Sequence, residues 1–117
     1  MNDAHSKNAL VVIWSSKDPE VAMNMVFMYC KNSKIHGWWE SVKLVVWGPS
    51  AKLLSENENL QTELSYMKKE GVEILACKAC ADQYGVSEAL KELGCKVIYM
   101  GQPLTDYLKQ GLHVLTF

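Results

Sequence analysis

The amino-acid sequence predicts a three-layer α/β/α sandwich around a five-stranded, mostly parallel sheet. Short, mainly apolar stretches recur along the chain at 9–14, 42–47, 72–77, 96–100 and 113–117, each the length of a strand, and the first is a continuous apolar run as expected for a strand covered on both faces. Segments with helix start and stop signals separate them, and helical crossovers make neighbouring strands parallel. With 117 residues, 49% of them hydrophobic, the chain can bury one sizeable core but not two. It therefore reads as a single domain over residues 9–117 preceded by a disordered polar tail at 1–8.

The first strand, Ala9-Leu10-Val11-Val12-Ile13-Trp14, ends in Ser15-Ser16-Lys17-Asp18-Pro19-Glu20. Asp18 is a good N-cap, Pro19 a good first helical residue, and Glu20 an acid in the first turn, so a helix begins here. From Val21 to Cys30 only Asn24 is polar. A helix that is apolar all round must be covered on more than one side. The sheet covers one side; a second subunit is the expected other cover, and burial within the monomer is the alternative. Its methionines suit an adaptable contact surface.

Trp38 and Trp39 lead into the second strand, Val42 to Trp47, and are expected to pack at a core edge. His36 has no ligand companion nearby in sequence. Gly48-Pro49-Ser50 then makes a tight turn. Ser50 to Ser55 forms a short helix and Glu58 to Glu70 a longer amphipathic one, with Leu60, Leu64 and Met67 on its apolar side and Gly71 as its left-handed cap. After the third strand, Gly85 ends one short helix and Gly94 caps another over Ser87 to Leu93. Lys96 to Met100 is the fourth strand, Leu104 to Gln110 the last helix, and His113 to Phe117 the fifth strand. No internal repeat, linker or low-complexity segment is present.

The third strand carries the most chemistry. Val72 to Cys77 is short and aliphatic, whereas the residues after Cys77 favour helix, so Cys77 falls at a strand-to-helix corner. Unpaired backbone N–H groups and the helix dipole there favour thiolate over thiol, and Lys78 adds a neighbouring cation. Cys80 lies one turn along the same helix face. Three readings of the pair stand: a reactive thiol that carries sulfur or cycles redox state, cysteines that merely pack, and a metal site. The last is disfavoured because zinc wants four ligands and no second Cys-x-x-Cys or His-x-x-x-His is present. Cys30 is expected to pack, and Cys95 lies at the opposite end of its strand from Cys77.

Open parallel sheets gather function beyond the carboxyl ends of their strands, where Ser15, Gly48, Cys77 and Gly101 fall. Cys77 is the only strong nucleophile among them. Neither a Gly-x-x-x-x-Gly-Lys-Ser/Thr loop nor a Gly-x-Gly-x-x-Gly fingerprint follows the first strand, and there is no Gly-x-Ser-x-Gly elbow. A net charge of −1 gives no electrostatic case for nucleic acid or an acidic membrane. No apolar run approaches the roughly 20 residues that span a bilayer. The polar N-terminus lacks the apolar core of a signal peptide, so a cytoplasmic location is expected, with its four cysteines as thiols.

The Val45-Val46-Trp47-Gly48-Pro49-Ser50 segment, Cys77-x-x-Cys80-Ala81 followed by Gly85-Val86, and Gly101 with Gly111 before the last strand are similar to the DsrE-like family, the DsrE/DsrF-type sulfur-relay proteins. The resemblance runs from Asn8 to Phe117. It implies the same fold, a persulfide relay of the sulfurtransferase type with Cys77 as the sulfur-accepting cysteine, and assembly into trimers or hexamers. The expectation is thus a homo-oligomer whose Cys77 accepts and passes on sulfane sulfur to and from donor and acceptor proteins. Cys80 would resolve the persulfide, and Lys78, Ser15, Gly48, Pro49 and Gly101 would support the site, without metal or organic cofactor. A thiol–disulfide redox protein using Cys77 and Cys80, and a non-enzymatic oligomeric binding module with a structural cysteine corner, are the alternatives.

Overall fold

A computed structural model describes residues 8–117, so of the disordered tail expected over 1–8, residues 1–7 lie outside the described residues and Asn8 is ordered. The carbonyl of Asn8 accepts the amides of Glu40 and Ser41, which ties the chain down one residue before β1 (Ala9–Trp14). The Asp18 carboxylate accepts the Glu20 amide at 2.8 Å and Pro19 opens α1 (Pro19–Val21), as the capping chemistry requires. What the periodicity does not predict is a π-helical segment, Ala22–Phe27, between α1 and α2 (Met28–Ile35). Such i→i+5 stretches are rare, and here the wider turn accompanies burial of Ala22, Val26 and Phe27.

β2 (Ser41–Val46) leads to α3 (Pro49–Glu56) and α4 (Glu58–Lys69), the latter capped by the Asn57 side chain on the Leu60 amide. β3 (Glu73–Cys77) continues without a break into α5 (Lys78–Tyr84), followed by α6 (Ser87–Glu92) and β4 (Lys96–Ile98). β4 is two residues shorter than expected, and α7 (Gly101–Lys109) starts three residues earlier. Pro103 lies in the first turn of α7, where no intrahelical N–H bond is lost. β5 (His113–Thr116) closes the chain.

All four strand pairings are parallel and the sheet order is β4-β3-β2-β1-β5. The first three crossovers step in one direction across the sheet, so right-handed connections place α1 to α6 on one face. Only the return from β4 to β5 reverses direction and puts α7 on the other. The sheet's alternation sorts the side chains accordingly. Leu10, Val12, Trp14, Val42, Leu44, Val46, Ile74 and Ala76 join the large core beneath the helices of the first face. Val11, Ile13, Val45, Leu75 and Cys77 belong to a smaller cluster on the α7 face, sealed by Met100. The three layers are therefore unequal, and the second face is thin.

β2 is the middle strand, and Leu44 is fully buried on its crowded face. Leu44→Ala is expected to lower stability by about 2–5 kcal/mol, because the lost methyl groups leave a cavity that a close-packed core closes only in part. Urea unfolding measures it. Lys91→Ala, on the exposed side of α6, is expected to stay within about 0.5 kcal/mol of the parent.

Candidate functional site

The Cys77 backbone is extended (φ −68°, ψ 115°) and the residue caps α5, so its thiol stands where the last rung of β3 meets the first turn of the helix. Cys77 is 4% exposed, while Cys80 is half-buried and packs against the same small cluster with Trp47, Ile98 and Leu104. Cys77 and the Gly48 backbone, from the β2–α3 turn, both act on the Cys80 thiol. Burial is the main influence raising the Cys80 pKa, assisted by the Cys77 bond and opposed by the Gly48 amide. The corner thus holds two thiols, one nearly closed off and one half-buried.

Gly48 adopts φ 80°, ψ −140°, a backbone that side-chain-bearing residues rarely take, and a Cβ there would meet no atom within 4 Å. Glycine is demanded by the backbone rather than by space. Pro49 follows as the first residue of α3, and the Ser50 hydroxyl, fully buried, donates to the Trp14 carbonyl, pinning the turn to the end of β1.

The remaining residues singled out in the sequence do different work. The Lys78 ammonium lies 2.7 Å from Asp82 Oδ2 and 5.5 Å from the centre of the Tyr99 ring. The i,i+4 spacing on α5 puts the carboxylate on its own helix face, so its charge is held by Asp82 at the surface. Asp82 lies below the ordinary carboxylate range because of Lys78 first and the Ser87 hydroxyl second. Ser15 is turned toward the last strand, its amide and hydroxyl donating to the Phe117 carbonyl at 2.7 and 2.9 Å. Gly101 is the first residue of α7, and its carbonyl accepts the Thr105 hydroxyl. The structure thus brings together Cys77, Cys80 and the Gly48-Pro49 turn, and leaves Ser15 at the far side of β1. Sequence reasoning missed Trp47 and Met100 as members of the cysteine cluster. The signal for Trp47 was present, since it shares the parity of Val45 along β2.

Trp39 packs at a core edge as expected, its indole donating to the Tyr29 hydroxyl at 3.0 Å, whereas Trp38 is 56% exposed and stacks on His36. Among the described residues no three His, Cys, Asp or Glu side chains are grouped to hold a metal ion, and no helix is long and apolar enough to cross a membrane.

The architecture is that of a parallel α/β sandwich with a thiol pair at the carboxyl end of an interior strand. Residues 7–117 match the DsrE/DsrF-like family, and the chain belongs to it. The family is broadly associated with sulfur relay. A conserved protein of unknown function from Bacteroides thetaiotaomicron, BT1422, is 38% identical over 94% of this chain and 95% of its own, with a TM-score of 0.91. The ychN protein from E. coli (17% identity, 95% and 99% of the two chains, TM-score 0.68) shares the fold. So does the protein of unknown function MTH1491 from Methanobacterium thermoautotrophicum, at 17% identity, the same coverage and a TM-score of 0.71. Among curated proteins none matches.

Cys30 and Cys95 lie outside the corner, and burial pushes both thiols up to about 12, with Lys68 pulling slightly the other way at Cys95. Iodoacetamide at pH 8 is therefore expected to modify the Cys77–Cys80 corner while leaving Cys30 and Cys95 unlabelled until the protein unfolds; peptide mass mapping reads the order. Because an unfolded thiol ionises near 9.0 and these two near 12, the unfolded chain sheds protons first as pH rises. Stability is expected to hold below pH 9 and to fall through the window from 9 to 12, by about 1.4 kcal/mol per pH unit for each thiol. Urea midpoints of the parent and Cys95→Ala across that window measure the difference, which must shrink as the pH rises.

Proposed function

We propose that this protein is a sulfur carrier that holds sulfane sulfur as a persulfide on Cys77. The observation that supports this most is the pairing of Cys77 with Cys80 at the carboxyl end of β3, on the thinly covered face, while the other two cysteines are buried as neutral thiols. In the loading step the Cys77 thiolate attacks the outer sulfur of a donor persulfide R–S–SH. The donor's S–S bond breaks, RS⁻ leaves and takes up the proton released by Cys77, and Cys77–S–SH forms. Delivery is the same exchange in reverse, toward an acceptor thiolate. Cys80 supplies a discharge route: its thiolate attacks the inner sulfur of the persulfide, a Cys77–Cys80 disulfide forms, and HS⁻ departs.

The carrier works as a homo-oligomer in this reading, a trimer or hexamer. Met25, Met28, Trp38 and Leu115 are each more than two-fifths exposed, and together with Tyr29 and Phe117 they line an apolar groove of about 390 Å³. Among the described residues the helix that is apolar all round thus lacks a cover on its outer side. Met28→Glu is expected to dissociate the assembly, because an unpaired carboxylate in an apolar contact is poorly solvated. Sedimentation velocity at micromolar concentration reads it, and a parent that is already monomeric would remove this part of the proposal.

Cys77→Ser is expected to abolish loading, seen by mass spectrometry as the loss of the gain of about 32 Da for one sulfur. Cys80→Ser should still load, and its persulfide should last longer because the discharge route is gone. Loss of all thiol chemistry in both variants would favour dithiol redox work instead, which needs the second sulfur to release the mixed disulfide. A wild type that never gains sulfur would overturn the carrier reading.

A further inference from the structure

A second concavity opens beside the cysteine corner. It has a volume of about 380 Å³ and is lined by Lys17 from the β1–α1 loop, by Pro49, Lys52, Leu53 and Glu56 from α3, and by Tyr84 from α5. Pro49 is covalently next to Gly48, whose backbone reaches the Cys80 sulfur, and Tyr84 stands one helical turn beyond Cys80 on α5. Residues four apart on a helix lie about 6 Å from one another on one face, so Tyr84 brings the wall of the pocket to one turn from Cys80.

Its charges are unspent. Lys31, Lys43, Lys78 and Lys91 each form an ion pair, whereas among the described residues neither Lys17 nor Lys52 has a carboxylate within ion-pair distance, Glu56 included. The nearby Asp18 carboxylate is engaged on the Glu20 amide. Two ammonium groups from separate elements therefore face one concavity without a counter-ion, with a lone carboxylate across from them and an apolar wall of Pro49, Leu53 and Tyr84 between. That pattern complements a molecule with two carboxylates, one ammonium and a partly apolar body, the chemistry of a glutathione-type peptide thiol.

We propose that this pocket binds a low-molecular-weight, dicarboxylate peptide persulfide and presents its outer sulfur to the corner, with Lys17 and Lys52 on the carboxylates and Glu56 on the ammonium. The proposal rests on the carrier reading for its chemistry. The donor thiolate leaves as Cys77 takes the outer sulfur, and a ligand held by its carboxylates keeps that leaving group at the mouth of the site until it is protonated. The small volume suits a free thiol rather than a docked acidic protein segment.

Two measurements test binding and chemistry separately. S-methylglutathione, which has no thiol to react, is titrated into the wild type, into the Lys17→Gln/Lys52→Gln double variant and into Glu56→Gln, with binding read by calorimetry and by shifts of Tyr84 resonances. The substituted side chains are exposed, so the variants should fold. The wild type should bind, the double variant at least about tenfold more weakly, Glu56→Gln more weakly by a smaller factor, and S-methylcysteamine, which has no carboxylate, not at all. No binding by the wild type, or equal binding by the double variant, overturns the proposal. Loading is then followed with glutathione persulfide and with cysteamine persulfide: the double variant should need about ten times more of the first for half-maximal rate and the same amount of the second. An equal loss for both donors overturns the pocket's role, since it would mark damage to the corner itself. Binding without sulfur transfer from either donor would sustain the pocket as a site for the peptide and sink the carrier reading alone.

Discussion

The unequal covering of the two sheet faces is the constraint on which the rest of the molecule depends. A chain that steps from β1 through β4 in one direction must lay every intervening helix on one face, because right-handed crossovers leave no other course. The return to β5 supplies the opposite face with α7, the one helix there among the described residues. Hence one face carries Trp14, Phe27, Leu44, Leu54, Leu64 and Leu90 in a deep core, and the other a short apolar row closed by Met100. Cys77 has the parity of the thin face.

The same difference places the four cysteines in two surroundings. Cys30 and Cys95 are surrounded by the deep core, and the cost of placing a charge there holds each as a neutral thiol. Cys77 and Cys80 sit where β3 gives way to helix, with backbone amides and a glycine turn close by. Gly48 is central to that corner because its left-handed backbone brings the peptide group of a neighbouring strand's turn toward Cys80 without a side chain in the way. Ser50 then fixes the turn to β1, so a residue two positions away holds the geometry of a thiol thirty positions on.

The α1–π–α2 segment joins the deep core to the outer surface. Its inner residues, Ala22, Val26, Phe27 and Cys30, are buried, with the Phe27 ring edge-on to Trp14 at 5.0 Å. Met25 and Met28 face outward toward Trp38 and the last strand. A π turn shifts the angular spacing of side chains from that of a regular helix, and so changes which residues of an unbroken apolar run meet the core.

Much of this was legible in the residues themselves. The mainly apolar stretches located all five strands to within two residues; β1, buried at every position, is the one where cover on both faces leaves nothing polar. Asp18 with Pro19 located a helix start, and the Cys77 corner followed from the change of propensity along one stretch, because capping and propensity are local physics. Other features involve partners that sequence order does not bring together. Lys78 beside Cys77 in the chain is drawn to Asp82 by the pitch of the helix, and Ser15 is spent on Phe117, a partner 102 residues away. The π turn, the thin face over Cys77, and the meeting of Lys17, Lys52 and Tyr84 in one pocket came only with the tertiary structure. Strand order and packing decide which distant side chains share a space, and a one-dimensional pattern of polarity does not encode that order.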